Sequence, residues 1–138
     1  MKRVSLFIAL VLLVLPAAVF ARDVDAVVSS DWLAANLSNP RVVVVDVRKP
    51  EEYKAGHVPG SVNVMTTVWA IEANGLKNEV PQADELSEII SDAGISANSI
   101  VVVVGADFSA QFAFITRVAW TLVYAGVPNV AILDGGFA

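Results

Sequence analysis

Short unbroken runs of aliphatic residues alternate along this chain with stretches in which apolar side chains recur every three to four positions. Residues 26–28 predict a brief strand. Ser29 and Ser30 are candidate N-caps for a helix carrying Trp32, Leu33 and Leu37, which stops at Asn39 and Pro40. Residues 41–46 hold four consecutive valines, and a run without polar alternation suits a strand covered on both faces, hence a parallel sheet. Residues 62–64 predict a short strand after a turn at Pro59 and Gly60, and residues 66–80 read as a long loop with a turn at Asn74 and Gly75. Pro81 opens a helix with Asp84 and Glu85 in its early turns, apolar residues at Leu86, Ile89 and Ile90, and Gly94 as its stop. Residues 100–104 form a second all-apolar strand, residues 109–125 a helix capped by Ser109 and ended by Gly126, and residues 130–133 a third buried strand. Strand, helix, strand, helix, strand is the order of an α/β domain built on a parallel sheet.

The first residues follow a different logic. Lys2 and Arg3 precede an apolar run over residues 4–20, broken only by Ser5 and Pro16, with the small residues Val19 and Ala21 where a cleavage site places them. Residues 1–21 therefore read as a signal peptide cut before Arg22, leaving one domain over residues 22–138 that is exported to the periplasm or beyond. The competing reading is an uncleaved anchor, since the run approaches the roughly 20 residues that span a bilayer. The leader accounts for part of the high apolar share of 56%. The chain ends at Ala138, just after a strand expected inside the sheet with nothing left to cover its far side, so the domain is expected to lack its final part.

Charge and cysteine content narrow the chemistry. Nine basic against 14 acidic residues give a net charge of −5, and removal of Lys2 and Arg3 takes it to −7, which disfavours nucleic acid and leaves a membrane contact only through the leader. The chain has no Cys, so disulfides, thiolate metal sites and a cysteine nucleophile are excluded, and nothing in the sequence implies a metal or cofactor.

In open parallel sheets ligands bind beyond the carboxyl ends of the strands, where loop N–H groups and helix N-termini converge. After the first long strand that edge carries Asp46, Val47, Arg48 and Lys49, leading through Glu51, Glu52 and Tyr53 to the run Gly56, His57, Val58, Pro59, Gly60. After Val104 it carries Gly105, Ala106, Asp107, Phe108 and Ser109, a loop of the type that suits an anion.

Asp46-Val47-Arg48, then Glu52-Tyr53, then Gly56-His57-Val58-Pro59-Gly60-Ser61 resemble the D-x-R, E-[FY] and G-H-[IV]-P-G-[AS] signature of the rhodanese family, and Val130-Ala131-Ile132-Leu133-Asp134-Gly135-Gly136 is similar to its later strand motif. The resemblance covers about residues 26–138 and implies an open parallel sheet of five strands flanked by helices. It also implies a sulfurtransferase chemistry, from thiosulfate or 3-mercaptopyruvate to a thiol or cyanide, in which a loop Cys after the central strand carries a persulfide. Here that loop reads Gly105-Ala106-Asp107-Phe108-Ser109-Ala110-Gln111. Neither Asp107 nor Ser109 replaces a thiolate, because a hydroxyl stays protonated near neutral pH and oxygen is not the soft atom that takes up and releases sulfur. By resemblance the chain looks like the N-terminal, Cys-less half of a tandem rhodanese, whose partners are a second rhodanese domain and a small sulfur-containing anion. The alternative is an inactive module that binds a small anion or a protein. Phosphatases that share this architecture also need the loop Cys.

Asp46 and Arg48 flank Val47, so on an extended backbone they share a face. They read as a structural ion pair, and alternatively Arg48 helps to bind an anionic substrate. His57 braces its loop through a backbone carbonyl, or works with Asp46 as such a pair does in some tandem mercaptopyruvate sulfurtransferases. Arg117, inside an apolar helix face, is expected to reach a carboxylate such as Asp46 or Asp107, since an unpaired buried charge is expensive. Trp69, Phe112 and Trp120 read as packing residues.

Overall fold

The computed structural model describes residues 22–107 and 112–137. The leader and the loop positions Phe108 and Ser109 lie outside the described residues, as does the cap expected at Ser109. Five strands form a parallel sheet in the order β1 (Val27–Val28), β7 (Asn129–Leu133), β6 (Ile100–Val104), β2 (Val42–Asp46), β3 (Val62–Asn63). The helices are α1 (Ser30–Asn36), α2 (Pro50–Ala55), α3 (Thr66–Trp69), α4 (Ala83–Asp92) and α5 (Phe112–Tyr124), and β4 (Ile71–Ala73) pairs antiparallel with β5 (Leu76–Glu79) outside the main sheet.

The aliphatic runs explain the middle of the sheet. Every residue of β6 and β7 is buried, and successive side chains of β6 point into opposite layers. Val101 and Val103 join Val45, Trp69, Leu86, Ile115, Val118 and Leu122 beneath α3, α4 and α5. Val102 and Val104 join Val28, Leu33, Val44 and Leu133 beneath α1. A sheet with two covered faces has no use for polar alternation, which is why these strands read as unbroken apolar runs.

Three features depart from the pattern reading. The far side of the last strand is not open: β1 pairs with it, Val27 opposite Ile132 and Val28 opposite Leu133, because residues 26–28 return to the sheet from the start of the domain. The stretch 66–80 is not a plain loop. It holds α3, whose Trp69 is fully buried, and a hairpin whose two-residue turn places Asn74 and Gly75 at φ of 54° and 77°, the positive pair that a right-twisted hairpin favours. Finally, residues 50–55 form a helix that buries none of its side chains. Its signals are Pro50 in the first turn, Glu51 and Glu52 at the start, and the Lys49 N–H donating to the Glu52 carboxylate at 3.0 Å.

Helix α4 begins at Ala83 with Gln82 as its N-cap, two residues after the Pro81 at which the pattern opens it. Helix α5 sets Ile115, Val118, Thr121 and Leu122 on the sheet and turns Phe112, Trp120, Val123 and Tyr124 outward. Among the described residues no helix is long and apolar enough to cross a membrane.

Leu122 is fully buried between α5 and the sheet while its neighbour Val123 is half exposed. Leu122→Ala is expected to cost about 3 kcal/mol through lost transfer energy plus a cavity, and Val123→Ala less than about 0.5 kcal/mol. Urea unfolding of the two variants measures the contrast.

Candidate functional site

The carboxyl ends of β2 and β6 lie side by side, Asp46 opposite Val104, and the Val47 N–H donates to the Val104 carbonyl at 2.9 Å. Val45 and Val47 occupy the α4–α5 layer, so the pleat sends the Asp46 side chain between them to the opposite, α1 side. There it is completely buried, and Arg48, two residues on, is only 6% exposed.

Burial of two charges requires that each be matched, and here both are. Arg48 Nε donates to the two Asp46 carboxylate oxygens at 3.0 and 3.2 Å, Arg48 Nη2 to Oδ2 at 2.6 Å, and the Arg48 backbone N–H to Oδ1 at 3.0 Å. The same Nη2 donates to the Gly56 carbonyl at 2.8 Å, tying β2 to the Gly56-His57 run. Asn63, at the end of β3, closes the other side by donating from Nδ2 to the carbonyls of Asp46 and Arg48, each at 2.9 Å. The spacing of Asp46 and Arg48 thus yields the ion pair their shared face implied.

Phe137 joins this pair to the second edge loop. Its ring centroid lies 3.9 Å from the Arg48 guanidinium carbon, close enough for a cation–π contact. Its backbone N–H donates to the Gly105 carbonyl at 2.9 Å. The chain reaches this position through Gly135 and Gly136, at φ of 75° and 74°. A Cβ at Gly136 would stand 2.7 Å from the Ala106 carbonyl oxygen and 2.8 Å from that of Gly105, so the turn requires glycine for space as well as for backbone angle.

His57 sits apart from the buried pair. Its ring stacks on Tyr53 with centroids 3.9 Å apart, and its Nδ1 lies 2.9 Å from the Tyr53 carbonyl. Tyr53 in turn donates its hydroxyl to the Ser61 carbonyl at 2.5 Å. The structure does not bring His57 and Asp46 together as a working pair, because both Asp46 oxygens are occupied by Arg48. Arg117 also departs from its expected role. It donates to the Asn78 carbonyl at 2.5 Å and lies 5.3 Å from the Trp120 ring centroid, and among the described residues it forms no ion pair. The reason is that Arg48 already saturates Asp46 from within the same strand end, while the β4–β5 hairpin supplies an uncharged acceptor beside α5. Trp69 is core, whereas Phe112 and Trp120 are 40% and 52% exposed.

Of the loop after β6, Gly105, Ala106 and Asp107 are described, with Gly105 packed against Ile115 and used by Phe137; Phe108 and Ser109 are not. Pattern reading missed Asn63 and Phe137. An Asn closing a strand beside an Asp-x-Arg strand end, and an aromatic directly after a Gly pair, were the available signals. Among the described residues no group of three or more His, Cys, Asp or Glu side chains could hold a metal ion.

Comparison with known proteins agrees with this geometry. A family profile described as "Rhodanese-like domain" matches residues 29–138. A protein of Synechococcus elongatus named "Putative thiosulfate sulfurtransferase" is 32% identical over 139 aligned positions, covering 97% of this chain and 43% of its own length. The 3-mercaptopyruvate sulfurtransferase of Escherichia coli K12 is 28% identical, over 80% of this chain and 42% of its own. The crystal structure of SseA from Escherichia coli, described as showing the rhodanese fold of 3-mercaptopyruvate sulfotransferases, superposes with a TM-score of 0.62 at 28% identity over 85% of this chain and 43% of that one. The chain thus spans less than half the length of these relatives.

Two outcomes test the site's architecture. Arg48→Met leaves the Asp46 carboxylate buried without its partner and is expected to cost about 3–5 kcal/mol, most of it regained in the double variant Asp46→Leu/Arg48→Met; urea unfolding of the single and double variants decides. Gly136→Ala is expected to exceed Gly135→Ala, which has open space and costs about 1 kcal/mol for its backbone angle alone, with the difference read from the two melting curves.

Proposed function

The chain belongs to the rhodanese family, and from that premise we propose that it is the non-catalytic N-terminal domain of an exported tandem sulfurtransferase. One observation carries the reading: a rhodanese-family chain whose strand edge is braced by Asp46, Arg48 and Gly105 has no sulfhydryl. Sulfur transfer from thiosulfate requires a thiolate that attacks the sulfane sulfur, breaks its bond to the sulfonate sulfur and releases sulfite. The persulfide then yields its outer sulfur to cyanide or another thiol, and the thiolate is restored. No side chain here can perform either half of that exchange.

The role left to this domain is to form one wall of the reaction site and support a second domain that supplies the Cys. Coverage of only 43% and 42% of the sulfurtransferase relatives leaves room for such a domain in the complete protein. In this reading Arg48 acts as a brace. Its guanidinium is committed to Asp46, to the Gly56 carbonyl and to the Phe137 ring, so it shapes the wall and does not itself clamp an anion. Export rests on the leader, whose Lys2 and Arg3, apolar run and small residues at Val19 and Ala21 have the layout of a signal peptide.

The isolated protein is expected to form no thiocyanate from cyanide with either thiosulfate or 3-mercaptopyruvate, measured as the coloured ferric complex. The coding DNA beyond Ala138 is expected to encode a second rhodanese domain with a loop Cys. Turnover by the purified chain overturns the non-catalytic assignment, and a stop codon at that point overturns the tandem one.

A further inference from the structure

Helix α4 is the most one-sided element of the chain in charge. It carries Asp84, Glu85, Glu88 and Asp92, and no Lys or Arg occurs anywhere between Lys77 and Arg117. Glu85, Glu88 and Asp92 follow one another at intervals of three and four residues, so they lie on one face of the helix. That face borders an open groove of about 420 Å³ whose apolar floor comes from Val68 of α3, Ile71 of β4 and Ile89 of α4. Val68 is 36% exposed there.

Like charges at helical spacing repel one another, and among the described residues none of these three carboxylates has a Lys or Arg within ion-pair distance. Glu85 serves the helix start by accepting the Gln82 N–H at 3.3 Å, but among the described residues the Glu88 and Asp92 carboxylates accept no hydrogen bond. The carboxylates also do not converge: no set of three acidic or histidine side chains among the described residues is close enough to bind one metal ion. A single cation is therefore a poor match. A row of negative charges spread along two turns beside an aliphatic floor is matched by a ligand that is itself extended and presents cations along one edge and apolar side chains along the other. A second copy of this chain would set carboxylate against carboxylate, and an anionic membrane surface would be repelled.

We infer that the groove between α4 and the α3–β4 segment is a docking site for a basic amphipathic segment of a partner polypeptide. Lysines or arginines of that segment lie along Glu85, Glu88 and Asp92, and its aliphatic side chains rest on Val68, Ile71 and Ile89. The groove lies on the sheet face opposite the Asp46–Arg48 pair, so the inference is independent of the sulfurtransferase reading.

The test is fluorescence anisotropy with a labelled helical peptide that carries lysines on one flank and leucines on the other, titrated with the intact chain. Saturable binding that weakens with salt is expected. Glu85→Gln/Glu88→Gln/Asp92→Asn is expected to raise Kd about tenfold, three exposed ion pairs being lost together. Val68→Ser is expected to raise it about threefold through the lost apolar contact. Asp25→Asn/Asp31→Asn, which removes charge on the far side, should leave Kd unchanged, and circular dichroism confirms that all variants fold. The inference fails if no peptide binds, or if both neutralised variants weaken binding alike. It also fails if Val68→Ser has no effect, if calcium alone binds the three carboxylates, or if their neutralisation changes only the self-association of the chain.

Discussion

Everything at the edge of this sheet depends on burying one carboxylate and one guanidinium together. Asp46 is wholly inaccessible and Arg48 nearly so. Two ions taken out of water are tolerated only when their remaining hydrogen-bonding capacity is met, and the loops around them are arranged as that requirement demands. Gly56 turns its carbonyl toward Nη2, Asn63 fastens the strand ends from the side, and Phe137 covers the guanidinium with its ring. The ion pair therefore acts less as a source of net stability than as a template. It decides where the Gly56-His57 run sits relative to β2, and through Phe137 and Gly105 it decides how the loop after β6 sits relative to both.

This arrangement explains how a strand edge of this kind is built in a rhodanese-family chain that has no Cys. The strand edge, the braced Arg and the glycine turn are properties of the backbone and its buried charges, and none of them needs a thiol. Under the proposed sulfurtransferase reading, reactivity would by contrast need a thiolate, and neither a hydroxyl nor a carboxylate substitutes for sulfur. Scaffold and chemistry are separable here because one is fixed by many contacts and the other by a single atom.

The two faces of the sheet also differ in what they leave outside. On the α1 side the buried ion pair consumes its own charges. On the side of α3, α4 and α5 the α4 carboxylates form no ion pair among the described residues, and Trp120 and Tyr124 stack with ring centroids 5.3 Å apart on the outer face of α5. A net negative chain with four carboxylates and no Lys or Arg on α4 concentrates its field where that helix lies.

The amino-acid pattern by itself determined the parallel α/β class, the three long strands, both long helices and the Asp46–Arg48 pair, because those depend on spacing along one strand or helix. Helix α2 escaped the pattern since it buries nothing and so shows no apolar period, and α3 with its hairpin escaped because Trp69 alone, in a four-residue helix, is too short a signal. Where Arg117 points, that β1 lies beside β7, and that Phe137 bridges Arg48 to Gly105 were decided only in three dimensions. Each brings together residues from distant parts of the chain. Local spacing carries no information about such a choice; it is made by which buried charges and strand edges are already satisfied when the parts meet.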